Sequence, residues 1–346
     1  MSGVFKIHQL SALATILVAV SSVPFAWGSQ NHYEFLVLKS STSWIGEAQI
    51  NNAGKVVFLT GSAIYAGDER GVSAIATANA SNPGIQESLV DVSAGHVSIN
   101  DRGAVAFIGV TNNAQWVLYV LGRQGWKKVY QGSGETLTDP TINNAGDVLV
   151  QFGRPDHEGF YRIRNGNVAS VVETPFIEGD STFVGLANEN DLNTRGQFLF
   201  QVEEEGGSSR VLFLDDRGVR TIVGGDGAFT LNNAGFIAIA NQSGVTIISP
   251  ARNLERFITN EPMESVAIAD SAFVAYSDGS TLRFSERCDR QDGEITESTL
   301  LSVGDEIDGS TVNNIQLHRR SVNPAGEIVF TVTLDDGRFA VVLAKR

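Results

Sequence analysis

Seven times along this chain a short phrase returns: an apolar residue, an asparagine, two variable residues, a glycine, then a strand-like run. It is clearest at Ile142-Asn143-Asn144-Ala145-Gly146-Asp147-Val148-Leu149-Val150. Further copies carry Asn51 with Gly54, Asn100 with Gly103, Asn193 with Gly196, Asn232 with Gly235, and Asn323 with Gly326. A worn copy, Ile268-Ala269-Asp270-Ser271-Ala272, keeps neither the asparagine nor the glycine. Successive copies lie 49, 43, 50, 39, 37 and 54 residues apart. A period of roughly 40–50 residues with four strands in each is the signature of propeller blades.

The phrase is turn chemistry. Asparagine at the first position of a turn bonds its own backbone two residues on, and glycine at the fourth supplies the left-handed conformation that closes a short hairpin. A β-carbon at the glycine position costs roughly 1–2 kcal/mol. In Asn323-Pro324-Ala325-Gly326 the proline also presets the second position. The six asparagines and their glycines are therefore read as structural turns, not as a ring of ligands.

Helical periodicity is nearly absent. Apolar residues alternate or come in runs of four to eight, bounded by Gly, Asn, Asp and Ser, so each repeat divides into four strands. The last repeat stops after its third strand, Phe339-Ala340-Val341-Val342-Leu343, while an orphan strand, Tyr33-Glu34-Phe35-Leu36-Val37-Leu38, precedes the first phrase. Pairing the two closes a ring and removes exposed edges. The expectation is one all-β domain over residues 29–346: a seven-bladed β-propeller of four-stranded antiparallel blades, closed by the N-terminal strand.

Ahead of it, Lys6 and His8 precede an apolar stretch from Leu10 to Val20, and Ala26-Trp27-Gly28 offers small residues before Ser29. Residues 1–28 read as a secretory signal peptide, too short for a spanning helix. Its removal takes away Lys6 and no acid, which moves the net charge from −14 to −15. Such a surface repels nucleic acid and anionic membranes. The expected location is the periplasm or the medium. The single cysteine, Cys288, excludes an internal disulfide.

The recurring N-x-x-G-x-hydrophobic-x-F phrase, with Gly134-Glu135, Gly179-Asp180, Gly225-Asp226 and Gly304-Asp305 in the connecting loops, resembles secreted bacterial tandem-repeat proteins expected to form propellers. The resemblance spans essentially the whole mature chain. It implies export and this fold, and supplies no catalytic residues.

Familiar catalytic signatures are missing: no Gly-x-Ser-x-Gly elbow, no His-Glu-x-x-His, no phosphate loop and no paired cysteines. Repeat register gives the sharper inference, because the first strand of each blade lies nearest the axis. Four residues before the turn asparagine stand Glu47, His96, Asp139, Glu189 and Arg319; two before it stand Gln49, Ser98, Thr141, Asp191, Thr230 and Ser321. Alternation turns this polar phase toward the channel and the apolar phase away from it. Glu47, His96, Asp139 and Glu189 form an arc at one mouth, an oxygen-rich set with one imidazole suited to Ca²⁺ or another divalent ion, or to a polar ligand. Arg319 adjoins Glu47 through ring closure. The Arg154–Glu158 loop and the Glu286–Ile295 excursion are solvated connections. The functional expectation is a non-enzymatic module binding a protein or carbohydrate through one face. The alternatives are a carbohydrate-active hydrolase or lyase using acidic channel-mouth residues, and a structural envelope or matrix component.

Overall fold

Each asparagine phrase folds as its turn chemistry requires. In the first blade Asn51 Oδ1 accepts hydrogen bonds from the amides of Ala53 at 3.0 Å and Lys55 at 2.9 Å, and the Gly54 amide donates to the Asn51 carbonyl at 3.0 Å. Gly54, Gly103, Gly146, Gly196, Gly235 and Gly326 all adopt positive φ, between 76° and 85°. The computed structural model describes residues 33–346 except 93–95, 155–156, 225, 250–253 and 287–294, and except the side chains of 188–189, 224 and 254. The expected leader and Cys288 lie outside the described residues.

Seven antiparallel sheets result, and their inner-to-outer order follows the sequence. The first blade runs Ile45–Ile50, Val56–Thr60, Ala63–Asp68, Gly71–Thr77. The inner strands of the later blades end at Ile99, Ile142, Leu192, Leu231 and Ile268, each one residue before the turn. The last blade takes Ser310–Gln316, Ile328–Leu334 and Phe339–Lys345 from the C-terminal end, and Glu34–Ser41 joins as its outermost strand. Glu34 pairs with Lys345 and Ser41 with Phe339, so the orphan strand closes the ring. Two blades carry additions that the repeat pattern does not foretell. Phe176–Glu178 pairs with the start of the fourth inner strand, Ser181–Leu192, and Glu306–Ile307 pairs with the start of the seventh.

The core is divided among the blade interfaces. Seven apolar clusters each join two neighbouring blades; one packs Leu36, Leu38, Val329 and Val341 of the last against Ile45, Ala48 and Phe58 of the first. The phenylalanine seven residues after the turn asparagine, as Phe58, Phe107, Phe200 and Phe330, is the buried filler of these seams. Truncating one to alanine costs about 3–5 kcal/mol.

The asparagines do more than close their own turns. Asn51 Nδ2 donates to the Asn100 carbonyl at 3.0 Å, Asn100 to Asn143 at 2.8 Å, Asn143 to Asn193 at 3.4 Å, Asn193 to Asn232 at 3.1 Å, and Asn232 to Ala269 at 2.8 Å. Asn323 donates to Asn51 at 3.4 Å across the closure. Each asparagine thus latches its blade to the next, and Ala269, which has no side-chain amide, leaves one gap. The turns lie on one face of the ring, hereafter the Asn-turn face. Connections from fourth to first strand and from second to third lie on the opposite face.

Candidate functional site

Two arginines of the last blade cross the axis, and the other charges are arranged around them. Arg319 Nε lies 3.2 Å from Glu47 Oε1 in the first blade. Its Nη1 lies 3.3 Å from Asp139 Oδ2 in the third, with Nη2 on the other oxygen, and Nη1 also donates to the Asn190 carbonyl in the fourth. Asp139 is fully buried and carries a positive φ of 56° immediately before Pro140. A bulge between Thr138 and Thr141 turns its carboxylate inward. Asn190 Nδ2 donates to the Asp139 carbonyl at 3.0 Å and to its Oδ2 at 2.5 Å.

His96 completes this tier. Its Nδ1 is 2.5 Å from Glu47 Oε2, its Nε2 is 3.8 Å from Asp139 Oδ1, and its side chain is 42% exposed. Burial works to raise the Glu47 carboxyl, but the Arg319 guanidinium and His96 imidazole beside it hold it well below the usual carboxylate range. Burial likewise opposes charging His96, yet Glu47 and Asp139 lift it above an ordinary imidazole. His318, next to Arg319 in sequence, has a buried Nε2 without a hydrogen-bond partner, and burial pushes its pKa down to about 4.

The next tier is built alike. Arg320, at φ 59°, donates from Nε to Asp191 Oδ1 at 3.0 Å, from Nη1 to the Ile142 carbonyl at 3.0 Å, and from Nη2 to the Leu192 carbonyl. Asp191 is fully buried and also accepts from Thr230 Oγ1 and the Leu231 amide. The expected second polar series forms latches too: Ser98 Oγ accepts the Ile142 amide, and Ser321 Oγ donates to the Ala48 carbonyl.

The structure therefore brings Glu47, His96, Asp139 and Arg319 together, as the register implies. Arg319 does not merely adjoin Glu47; it spans to the third and fourth blades. The side chain of Glu189 lies outside the described residues, and Asn190 is the fourth blade's residue bonded to Asp139. For the divalent-ion reading of Glu47, His96, Asp139 and Glu189, the geometry supplies a cation of its own, since the Arg319 guanidinium stands between the two carboxylates. Among the described residues no group of three His, Cys, Asp or Glu side chains is placed to hold a metal. The apolar phase is not wholly turned away. Ile50, Ile99, Ile142, Leu192, Leu231, Ile268 and Val322, one from each blade, line a small cavity of about 60 Å³ at the Asn-turn mouth, and Arg320 lines it with them. That volume holds a few water molecules. The Arg154 guanidinium sits over the Tyr161 ring at 5.8 Å, in the loop read as solvated.

Sequence reasoning missed Arg320 and Asn190. An Arg-Arg pair in the inner segment of one repeat alone, with aspartates at matching depth in other repeats, was the signal available for Arg320. Asn190 stands three residues before its turn asparagine, where the first three repeats carry Ala48, Val97 and Pro140, so a polar residue in the apolar phase was its signal.

No protein-family model matches the sequence, and no curated protein sequence matches it. Solved structures do resemble the fold. A catalytically inactive variant of virginiamycin B lyase from Staphylococcus aureus, with quinupristin, is similar at 13% identity and a TM-score of 0.52, over 90% of this chain and 98% of that one. U3-55K is similar at 12% identity and a TM-score of 0.55, over 90% and 98%. The WD40 repeats of RRP9 are similar at 12% identity and 0.54, over 90% and 97%. The chain is a seven-bladed β-propeller. At such identities the likenesses show the fold alone, and they fall on a lyase and on a WD40-repeat protein alike.

Proposed function

We propose that this protein is an exported propeller that works as a non-enzymatic binding module, engaging a protein or carbohydrate ligand through one face of the ring. The observation that carries this reading is the pairing of the axial charges. Arg319 is matched by Glu47 and Asp139, and Arg320 by Asp191, so the buried carboxylates at the axis are engaged in joining blades. What the ring presents is a rigid pair of loop faces. The test is a thermal-shift screen of the whole protein against calcium, manganese, chelator and a panel of oligosaccharides, with turnover of the same sugars assayed in parallel. A ligand at 100 times its Kd adds about 2.7 kcal/mol. Binding without turnover supports the module; turnover overturns it.

One observation favours a second reading. His96 is half-exposed at the channel mouth and is oriented by Glu47 through Nδ1, the arrangement of a general acid or base. In that reading the protein is a carbohydrate-active hydrolase or lyase. Turnover that disappears in His96→Gln, with the melting temperature unchanged, decides for it.

A further inference from the structure

The two faces of the ring differ in charge. Among the described residues, the connections opposite the Asn-turn face carry fourteen Asp and Glu side chains against two arginines, Arg154 and Arg338. Those of the Asn-turn face carry seven acidic and six basic side chains, the two axial arginines aside. The net negative charge of the described loops thus sits almost wholly on one face. Acids such as Asp180, Glu264 and Glu306 are exposed there, on the fourth, sixth and seventh blades, and no ion pair engages them among the described residues.

Apolar exposure follows the same division. Of the seven large hydrophobic side chains left in solvent among the described residues, five lie on the acidic face: Trp44, Val90, Ile177, Val184 and Val303. The other two, Val168 and Phe257, are on outermost strands. Ile177 is 74% and Val184 50% exposed. Both belong to the hairpin that the fourth blade adds. Phe176 pairs with Phe183 on the packed side, Phe183 being fully buried, whereas Ile177 and Val184, the latter at a bulge between Phe183 and Gly185, stand in solvent. A hairpin outside the blade pattern that packs one side and shows aliphatic residues on the other is built to be covered.

We infer that this face docks a basic protein partner, one that presents aliphatic side chains among lysines and arginines. The inference rests on the binding-module reading and assigns its face and its partner chemistry. Field and apolar contact have separate roles: the acidic loops steer the partner in and set the salt dependence, while the fourth-blade hairpin holds it.

The test uses the whole protein and three labelled peptides: one alternating Lys and Leu, its Glu and Leu counterpart, and oligolysine. Binding is measured by fluorescence anisotropy at low and at 500 mM salt. The Lys/Leu peptide is expected to bind, to weaken at least tenfold as salt rises, and to outbind oligolysine, with no binding of the Glu/Leu peptide. Asp180→Lys/Glu264→Lys/Glu306→Lys and, separately, Ile177→Ser/Val184→Ser are each expected to weaken it at least tenfold. Asp216→Lys, on the Asn-turn face, leaves it unchanged. Absence of Lys/Leu binding at low salt overturns the inference, as does equal loss in Asp216→Lys or indifference to Ile177→Ser/Val184→Ser. If the peptides fail while a small ligand still raises the melting temperature without turnover, the face assignment alone falls. If neither binds, the module reading falls with it.

Discussion

Ala272 holds the position that glycine holds in six repeats, and it keeps the same left-handed turn at φ 57°. Its amide still donates to the Ala269 carbonyl at 3.0 Å, so the worn copy pays its strain in conformation, not in lost hydrogen bonds. Ala272→Gly is expected to stabilise the protein by roughly 0.5 kcal/mol, the left-handed penalty less the loss of a buried methyl; a lowered urea midpoint would contradict that account. His318 gives a residue-scale prediction in pH. Burial lowers its folded pKa to about 4, whereas the unfolded chain titrates at roughly 6.5. The unfolded state takes the proton first, so this contribution is intact above about pH 6.5 and is lost as pH falls toward 4, roughly 2–3 kcal/mol in all. His96 has the opposite sign, contributing below the ordinary imidazole pKa and losing that contribution as pH rises through its raised value. His318→Leu should therefore flatten the acid limb of the stability profile and leave the alkaline limb alone; an acid limb as steep as before would show that the buried imidazole is not its source.

At the scale of the element, the asparagine serves a turn with one atom and a blade seam with another. Asn100→Asp separates the roles. The carboxylate keeps the acceptor for the Arg102 and Ala104 amides, found at 3.1 and 2.9 Å, but sets an oxygen against the Asn143 carbonyl in place of a donor at 2.8 Å. A loss of about 1–3 kcal/mol in urea denaturation is expected, and Asn100→Ala, which gives up both roles, should lose more; equal losses would mean the turn acceptor contributes nothing, and no loss in Asn100→Asp would mean the latch contributes nothing. The turn half of this element was legible in the sequence because asparagine and glycine act on their own backbone within five residues. The latch half was not, because its acceptor lies 37 to 50 residues away in most copies, and no local rule reports which way an amide nitrogen points once its oxygen is fixed. The site divides in the same way. Alternation placed Glu47, His96, Asp139 and Arg319 at one level, whereas Asn190 and Arg320 stand three residues before their turn asparagines, in the phase that alternation assigns away from the channel.

For the whole molecule the decisive element is the strand Glu34–Ser41, since it takes the outermost place of the last blade and so joins the two ends of the chain in one sheet. It covers the full length of Phe339–Lys345 in register, with one irregularity between Val37 and Lys39, and buries Leu36 and Leu38 in the seam between last and first blades. The residue before it is tied down as well, the Tyr33 hydroxyl donating to the Gly326 carbonyl at 2.9 Å. A chain begun at residue 42 loses these contacts and exposes the backbone of Phe339–Lys345 as an edge that pairs readily with another molecule. We expect that chain to elute as oligomers or aggregates where the chain begun at residue 33 is monomeric. A synthetic peptide of residues 33–41 should return it to monomer at saturating concentration and restore most of the lost melting temperature, while a scrambled peptide should not. Recovery distinguishes strand loss from general misfolding, because a chain that had failed to form its seven sheets would offer the peptide no edge to join. A truncated chain that stays monomeric and as stable as its parent would show instead that the seven interblade clusters and the asparagine latches hold the ring without a closing strand.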